Sequence, residues 1–211
     1  MTHKKAVLWD MDGTLIDSEP TALGALTRAI AEVGIPPIAD LHDRAFGQSA
    51  DAIHRWLSSE HGLSEAPADW ERRKHRHHLA GIGELRAFRE SLRVYRTLEA
   101  AGFPQAVVSN SDRLIMDAQL QRIGVTKPGI ITVARNDVRK GKPDPEGYLR
   151  AAWLLQVNPS DCLVIEDSPS GISAGRAAGM TTFSVPHSPT VLNADHALST
   201  MDEILTFVGR V

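Results

Sequence analysis

Cysteine is almost missing from this chain: Cys162 stands alone, so no disulfide can form within it. Its place at the head of the apolar run Cys-Leu-Val-Ile marks a buried structural thiol rather than a nucleophile. A fold that does without disulfides suits a reducing compartment, and the cytoplasm is the expected location. A basic surplus is missing too, since 23 Lys and Arg face 26 Asp and Glu, for a net charge of −3 and a pI near 6.3. Neither nucleic acid nor an anionic membrane surface is therefore an expected partner. No apolar stretch approaches the ~20 residues that a bilayer span needs. The run after Met1-Thr2-His3-Lys4-Lys5 stops at Asp10, too short for the core of a signal peptide. Internal repeats and low-complexity tracts are absent, and no amphipathic surplus argues for more than a monomer. What is present is an ordinary globular composition, 42% apolar and 23% charged over 211 residues, enough for one large domain or a core with a smaller one appended.

Short apolar runs recur along the chain with helical patterns between them. Ala6-Val7-Leu8-Trp9 predicts a first strand. Ser18-Glu19-Pro20 then offers a helix start with proline in its first turn, and Leu23, Leu26, Ile30 and Val33 keep helical spacing until Gly34 and Pro36-Pro37. Two more helical patterns follow, one through Ile53, Trp56 and Leu57 to Gly62, the other from Trp70 to Gly81. Trp56 and Trp70 are expected in a small core of their own, and no strand is expected between about residues 17 and 83. From about Glu84, strands at Gln105 to Ser109, Ile130 to Val133, Cys162 to Ile165 and Thr181 to Val185 alternate with helices. Such alternation implies βαβ units and a parallel sheet. The expected fold class is α/β: a Rossmann-like parallel-sheet core, residues 1–16 and 84–211, interrupted after its first strand by an all-helical domain, residues 17–83.

Ligands collect at the carboxyl ends of parallel strands, so the polar residues there are the candidates for chemistry. The first strand delivers Asp10 and Asp12 in D-M-D-G-T. Period-two alternation leans both to one side, which calls for a shared proton or a divalent metal, unless the pair is only a solvated acidic turn. Ser109 and Asn110 follow the second strand, Lys142 lies beyond the third in K-G-K-P-D-P, and Glu166 and Asp167 follow the fourth. Singly, each has a plainer reading. Lys142 would be a solvated loop lysine, Ser109 a hydroxyl bonding backbone, and either acid of the last pair a favourable charge at a helix N-terminus. Together, clustered acids repel, and the set makes sense with Mg²⁺ and a phosphate. Carboxylates and waters would then hold the metal while hydroxyl, amide and ammonium hold phosphate oxygens.

Asp10-x-Asp12-Gly13-Thr14, Ser109-Asn110, Lys142-Pro143 and Glu166-Asp167, in this order, resemble the four motifs of the haloacid dehalogenase superfamily over essentially the whole chain. The segment Ile165 to Gly175 and the helical insert narrow the resemblance to the branch of β-phosphoglucomutase and its sugar-phosphate phosphatase relatives, in which the insert is a cap. The resemblance implies a Mg²⁺-dependent phosphatase acting on a small phosphomonoester, a sugar or polyol phosphate, with Asp10 as the nucleophile that becomes an aspartyl phosphate. Asp12 would be general acid and then base and would lend its backbone carbonyl to the metal. Asp167 would bind the metal with Asp10, and Glu166 would sit in its near shell. Lys142 and Ser109 would stabilise the transferring phosphoryl group. Gly13 and Thr14 would bind the substrate, Asn110 would support the site from behind or contact the phosphate, and Glu19 and Gln48 would lie over the site and select the substrate. Asp12 also favours phosphate esters over carbon–halogen or carbon–phosphorus bonds, because dehalogenases of the superfamily lack the second acid and phosphonatases carry a small residue there.

Two alternatives remain at this stage. A sugar phosphomutase of the same fold would want a basic residue before the glycine and another after the serine of Phe46-Gly47-Gln48-Ser49-Ala50, where Phe46 and Ala50 stand, although Arg44 and Arg55 are near. A phospho-accepting receiver module also uses clustered acids, a Ser or Thr and a Lys. It is usually a single domain of ~120 residues without an insert, and takes its phosphate on a mid-chain strand. His75, His77 and His78 read as part of a solvated, charged helix face, His75 and His78 pointing one way and His77 another; a metal or substrate role is the competing reading.

Overall fold

In the computed structural model, which describes residues 5–45, 48–188 and 192–209, the apolar run Ala6–Trp9 is strand β1, and none of its four residues has exposed surface. A strand covered on both faces needs apolar residues at every position, which is why it shows no alternation. Chain order continues with β2 (Ile16–Asp17), α1 (Glu19–Glu32), α2 (Leu41–Ala45), α3 (Ala50–Glu60), α4 (Pro67–Gly81) and β3 (Arg86–Ala87). There follow α5 (Arg89–Ala100), β4 (Gln105–Val108), α6 (Arg113–Arg122), β5 (Ile131–Val133), α7 (Glu146–Leu155), β6 (Cys162–Glu166), α8 (Pro169–Ala177), β7 (Thr181–Ser184), β8 (His196–Ala197) and α9 (Glu203–Phe207).

The main sheet has the order β5-β4-β1-β6-β7-β8 with every pairing parallel. Trp9 stands opposite Val107 on one side and Ile165 on the other, so β1, β4 and β6 finish level with one another. The chain steps outward from β1 to β4 to β5 and then crosses to β6 on the far side of β1. That crossing makes the carboxyl end of β1 the topological switch point, where an open α/β sheet leaves its crevice. One face of the sheet, through Ala6, Leu8, Ala106, Val108 and Val164, packs on Tyr148, Ala151 and Ala152 of α7. The expected α/β fold with a parallel sheet is thus observed.

The described chain divides into two compact units, one holding the residues up to Asp17 and from Arg86 onward, the other Ser18–Leu85. The helical unit has its own core, in which Leu26, Ala29 and Ile30 of α1 meet Leu57, Leu63 and Trp70. Charges add a second tie between α1 and α4: Glu32 accepts from Arg73, from Arg76 at 2.6 Å and from His77 at 2.5 Å. Hydrogen bonds from Arg76 and His77 hold the Glu32 carboxyl down at about 2. The expected solvated face through the three histidines is corrected here. His78 is buried, His77 is paired with Glu32, and His75 lies 3.7 Å from Glu71.

Four elements, β2, β3, β8 and α2, escaped the sequence pattern. The antiparallel pair β2 and β3, with Ile16 opposite Ala87 and Asp17 opposite Arg86, joins the two strands of chain that flank the insert. With two residues each, neither it nor β8 can display an alternation, and the five-residue α2 cannot display a helical stripe. Among the described residues no helix is long and apolar enough to cross a membrane. Leu57 is fully buried in the helical unit's core, so Leu57→Ala is expected to cost about 2–5 kcal/mol in urea unfolding. A loss under ~1 kcal/mol would show that these helices do not enclose it as described.

Candidate active site

Asp10 follows β1 directly, and its N–H extends the ladder to the Ile165 carbonyl at 2.9 Å. Its carboxylate meets Lys142, whose Nζ lies 2.5 Å from Asp10 Oδ1, 2.6 Å from Glu166 Oε1 and 2.9 Å from the Val108 carbonyl. Three ammonium protons thus face three acceptors, and the Tyr148 ring centroid lies 5.0 Å from the same nitrogen. The lysine side chain is only 5% exposed. Burial works against its charge, but Asp10 and Glu166 outweigh that and hold its pKa above the usual lysine range. Burial, reinforced by the Glu166 charge, pushes Asp10 well above the usual carboxylate range against the pull of Lys142.

Glu166 ends β6 with no exposed surface. Its Oε1 accepts from Lys142 and from the Tyr148 hydroxyl at 2.7 Å, while its Oε2 accepts from Asp167 N–H, Ser168 N–H and Ser168 Oγ at 3.2, 3.2 and 2.9 Å. The same Ser168 hydroxyl caps α8 by accepting from Gly171 N–H. A Cβ at Gly171 would stand 1.7 Å from Glu166 Oε1, so only glycine leaves room for this carboxylate. Burial and then the Glu166 charge raise Asp167 to about 7. Gly13, at φ +82°, makes the matching allowance on the other loop, because a Cβ there would lie 1.9 Å from Asp167 Oδ2.

Carboxylate oxygens of Asp10, Glu166 and Asp167 lie within 4.8 Å of one another. Glu166 is saturated by five donors, whereas Asp10 Oδ2 is buried without a hydrogen-bond partner among the described residues. An orphaned carboxylate oxygen in an all-oxygen acidic group fits a hard divalent cation, which would supply the missing positive charge.

Asp12 turns its side chain toward the end of β4, where its Oδ2 accepts from Ser109 Oγ at 2.9 Å and Ser111 Oγ at 2.8 Å. Thr14 is fully buried, with no partner for its hydroxyl among the described residues. Asn110 spends its side-chain amide on the main chain of Lys142. One rim therefore gathers Asp10, Asp12, Ser109, Lys142, Glu166 and Asp167. Glu19 and Gln48 belong to the helical unit, Glu19 bonded to His42 at 2.5 Å and Gln48 exposed ahead of α3. Ala50 opens α3, Arg44 lies beside Asp40, Glu60 and the Trp56 ring, and Phe46 lies outside the described residues.

Sequence reasoning missed Ser111, Ser168, Tyr148 and His187. Ser168 carried the signal of a helix N-cap three residues before Gly171, and Ser111 sits two beyond Ser109. Tyr148 and His187 carried none. His187 donates from Nε2 to the Gly13 carbonyl at 2.9 Å and stacks on Phe88 at 3.8 Å, and the neighbouring Ser188 hydroxyl donates to the Asp167 carbonyl at 3.0 Å.

A D-x-D-G-T strand end beside a buried lysine and a paired acid, at the switch point of a parallel sheet, describes a hydrolase of one kind. The family model for haloacid dehalogenase-like hydrolases matches residues 4–179, and the chain belongs to that family. It is 29% identical over 208 residues to hexitol phosphatase A of Escherichia coli (strain K12), covering 95% of this chain and 93% of that one. It is 28% identical over 210 residues to the β-phosphoglucomutase of Bacillus subtilis (strain 168), covering 90% and 87%. Among solved structures it resembles a HAD family hydrolase from Deinococcus radiodurans R1 with bound phosphate and sodium, at TM-score 0.73 and 30% identity over 99% of this chain and 96% of that one.

The raised carboxyl of Asp167 has a thermodynamic consequence. A folded-state pKa of about 7 against an unfolded value near 3.8 means that its contribution to stability is complete below the unfolded value and is lost as pH rises through about 7. Metal-stripped protein should accordingly melt lower at pH 8 than at pH 5.5, and Asp167→Asn should flatten the difference. Equal pH dependence in the two proteins would show that Asp167 does not carry this linkage.

Proposed function

We propose that this hydrolase is a Mg²⁺-dependent phosphatase of a small phosphomonoester, a sugar or polyol phosphate, working through an aspartyl phosphate on Asp10. The observation that carries the reading is the asymmetry of Asp10, one oxygen held by the Lys142 ammonium and the other buried with no partner among the described residues. Asp10 and Asp167, with the Asp12 backbone carbonyl, would hold the metal. Mg²⁺ would supply the positive charge that lets a phosphate dianion approach a group of acids.

In the first half-reaction a carboxylate oxygen of Asp10 attacks phosphorus, and the bond from phosphorus to the leaving oxygen breaks as Asp12 gives that oxygen a proton. The charge on Asp10 is thereby lost, which frees Lys142 to hold the phosphoryl oxygens alongside Ser109. In the second half, Asp12 takes a proton from water as the water attacks phosphorus. Inorganic phosphate leaves and the Asp10 carboxylate returns. Glu166, with both oxygens occupied, serves by fixing Lys142 and Tyr148 beside the metal ligands. The helical unit is read as the cap, with Glu19 and Gln48 selecting the substrate, in a monomeric cytoplasmic enzyme.

Similarity to a hexitol phosphatase supports the substrate class. Similarity to a β-phosphoglucomutase keeps the mutase as the second reading, in which a second phosphate must be gripped while water is kept out. An uncharged Ala50, and an Arg44 beside two acids and an indole, favour hydrolysis. Family membership sets the receiver module aside.

Asp10→Asn is expected to abolish both turnover and phosphoenzyme, and Asp12→Asn to slow turnover by about two to four decades. Stripping metal with excess chelator should stop phosphate release, and Mg²⁺ should restore it. Phosphate trapped on a residue other than Asp10 in mass spectrometry would remove the nucleophile from its role.

Hydrolysis and isomerisation are separated by following β-glucose 1-phosphate by NMR with bisphosphate primer present, alongside a panel of hexose and polyol phosphates. Inorganic phosphate is expected from several of the panel, with no 6-phosphate. Isomer appearing faster than phosphate would give the protein to the mutases.

A further inference from the structure

A lysine on a flexible four-carbon stem is placed only as well as its own Cα, and Lys142 comes from the loop between β5 and α7. One side chain grips that loop at the lysine itself. Asn110 Oδ1 accepts from the Lys142 N–H at 2.9 Å, and Asn110 Nδ2 donates to the Lys142 carbonyl at 3.1 Å. Gly141 passes so close that a Cβ there would stand 2.4 Å from Asn110 Oδ1. Asn110 is itself well anchored, since the adjoining Ser109 N–H is bonded across the sheet to the Val133 carbonyl at 3.0 Å. The amide of asparagine carries a donor and an acceptor side by side, which suits the N–H and C=O of a single residue; aspartate would keep only the acceptor and alanine neither.

We infer that Asn110 is a positioning residue of the reaction, acting through the main chain of Lys142 and not on the phosphate. The inference rests on the phosphatase reading, in which Lys142 holds the transferring phosphoryl group. Two exposed hydrogen bonds add little to global stability, but they set where the ammonium sits relative to Asp10 and Glu166. A displacement of about 1 Å in such a group costs about a hundredfold in rate.

The experiment is a double-mutant cycle on the full chain, Asn110→Ala with Lys142→Ala, with Asn110→Asp as the conservative variant and hydrogen exchange at the Lys142 amide as a readout independent of turnover. Asn110→Ala is expected to lower kcat by about ten- to a hundredfold with KM within about threefold, and to do almost nothing further once Lys142 is alanine. Exchange at the Lys142 amide should speed up about tenfold or more in Asn110→Ala and stay slow in Asn110→Asp, which retains the acceptor. Losses that multiply in the double variant, or an unchanged Lys142 amide in Asn110→Ala, would overturn the inference. Should the wild type release no phosphate from any ester, the phosphatase reading falls by itself, and the exchange result still decides whether the clamp exists.

Discussion

Everything at the rim depends on one ammonium group in a dry place. Lys142 Nζ binds Asp10, Glu166 and a backbone carbonyl at once, and its charge is what allows these two acids to be buried together with Asp167 beside them. A single cation among three carboxylates leaves negative charge in excess, and the raised carboxyls of Asp10 and Asp167 follow from that excess together with burial. Such a site lowers the stability of the protein that carries it. Removing the lysine would leave buried acids uncompensated, and adding a divalent cation would relieve them. Perturbed acids of this kind gather at functional sites because the same imbalance that costs stability attracts metal and substrate.

The sheet explains how such unfavourable neighbours are held in place. β1, β4 and β6 end level with one another, so three separate loops deliver Asp10, Ser109 and the Glu166-Asp167 pair to one edge without any of them being long. Short loops on paired strands have little freedom to relax apart. Close approach then demands small residues, and Gly13 and Gly171 lie where any side chain would meet a carboxylate. The segment after β7 adds a brace, since His187 and Ser188 bind the carbonyls of Gly13 and Asp167 from outside the rim.

The helical unit is stabilised by other means. Its buried Trp70 and Leu57 form a core of their own, and Glu32 gathers Arg73, Arg76 and His77 to join α1 and α4 along a charged flank. A helix as polar as α4 would be marginal by itself, and this neighbour supplies both its apolar contact and its counter-charge.

The separation between what was readable and what was not follows the range of the interactions. Elements longer than a turn or two announced themselves by period, as β1 did by an unbroken apolar run and α1 by Leu26 and Ile30, whereas β2, β3, β8 and α2 were too short to show one. The acids and the lysine could be found because their types and their positions after predicted strands are local facts. The sequence by itself determined that Asp10, Asp12, Ser109, Lys142, Glu166 and Asp167 follow strands of a parallel sheet, since strand period and helix spacing are written within a few residues of each. Only the tertiary structure decided which oxygen of which acid is occupied. That Tyr148 donates to Glu166, that Asn110 grips the main chain of Lys142 and that Asp10 Oδ2 has no partner among the described residues depend on contacts between residues far apart in the chain, and no local pattern encodes the distance between two side chains that only folding brings together.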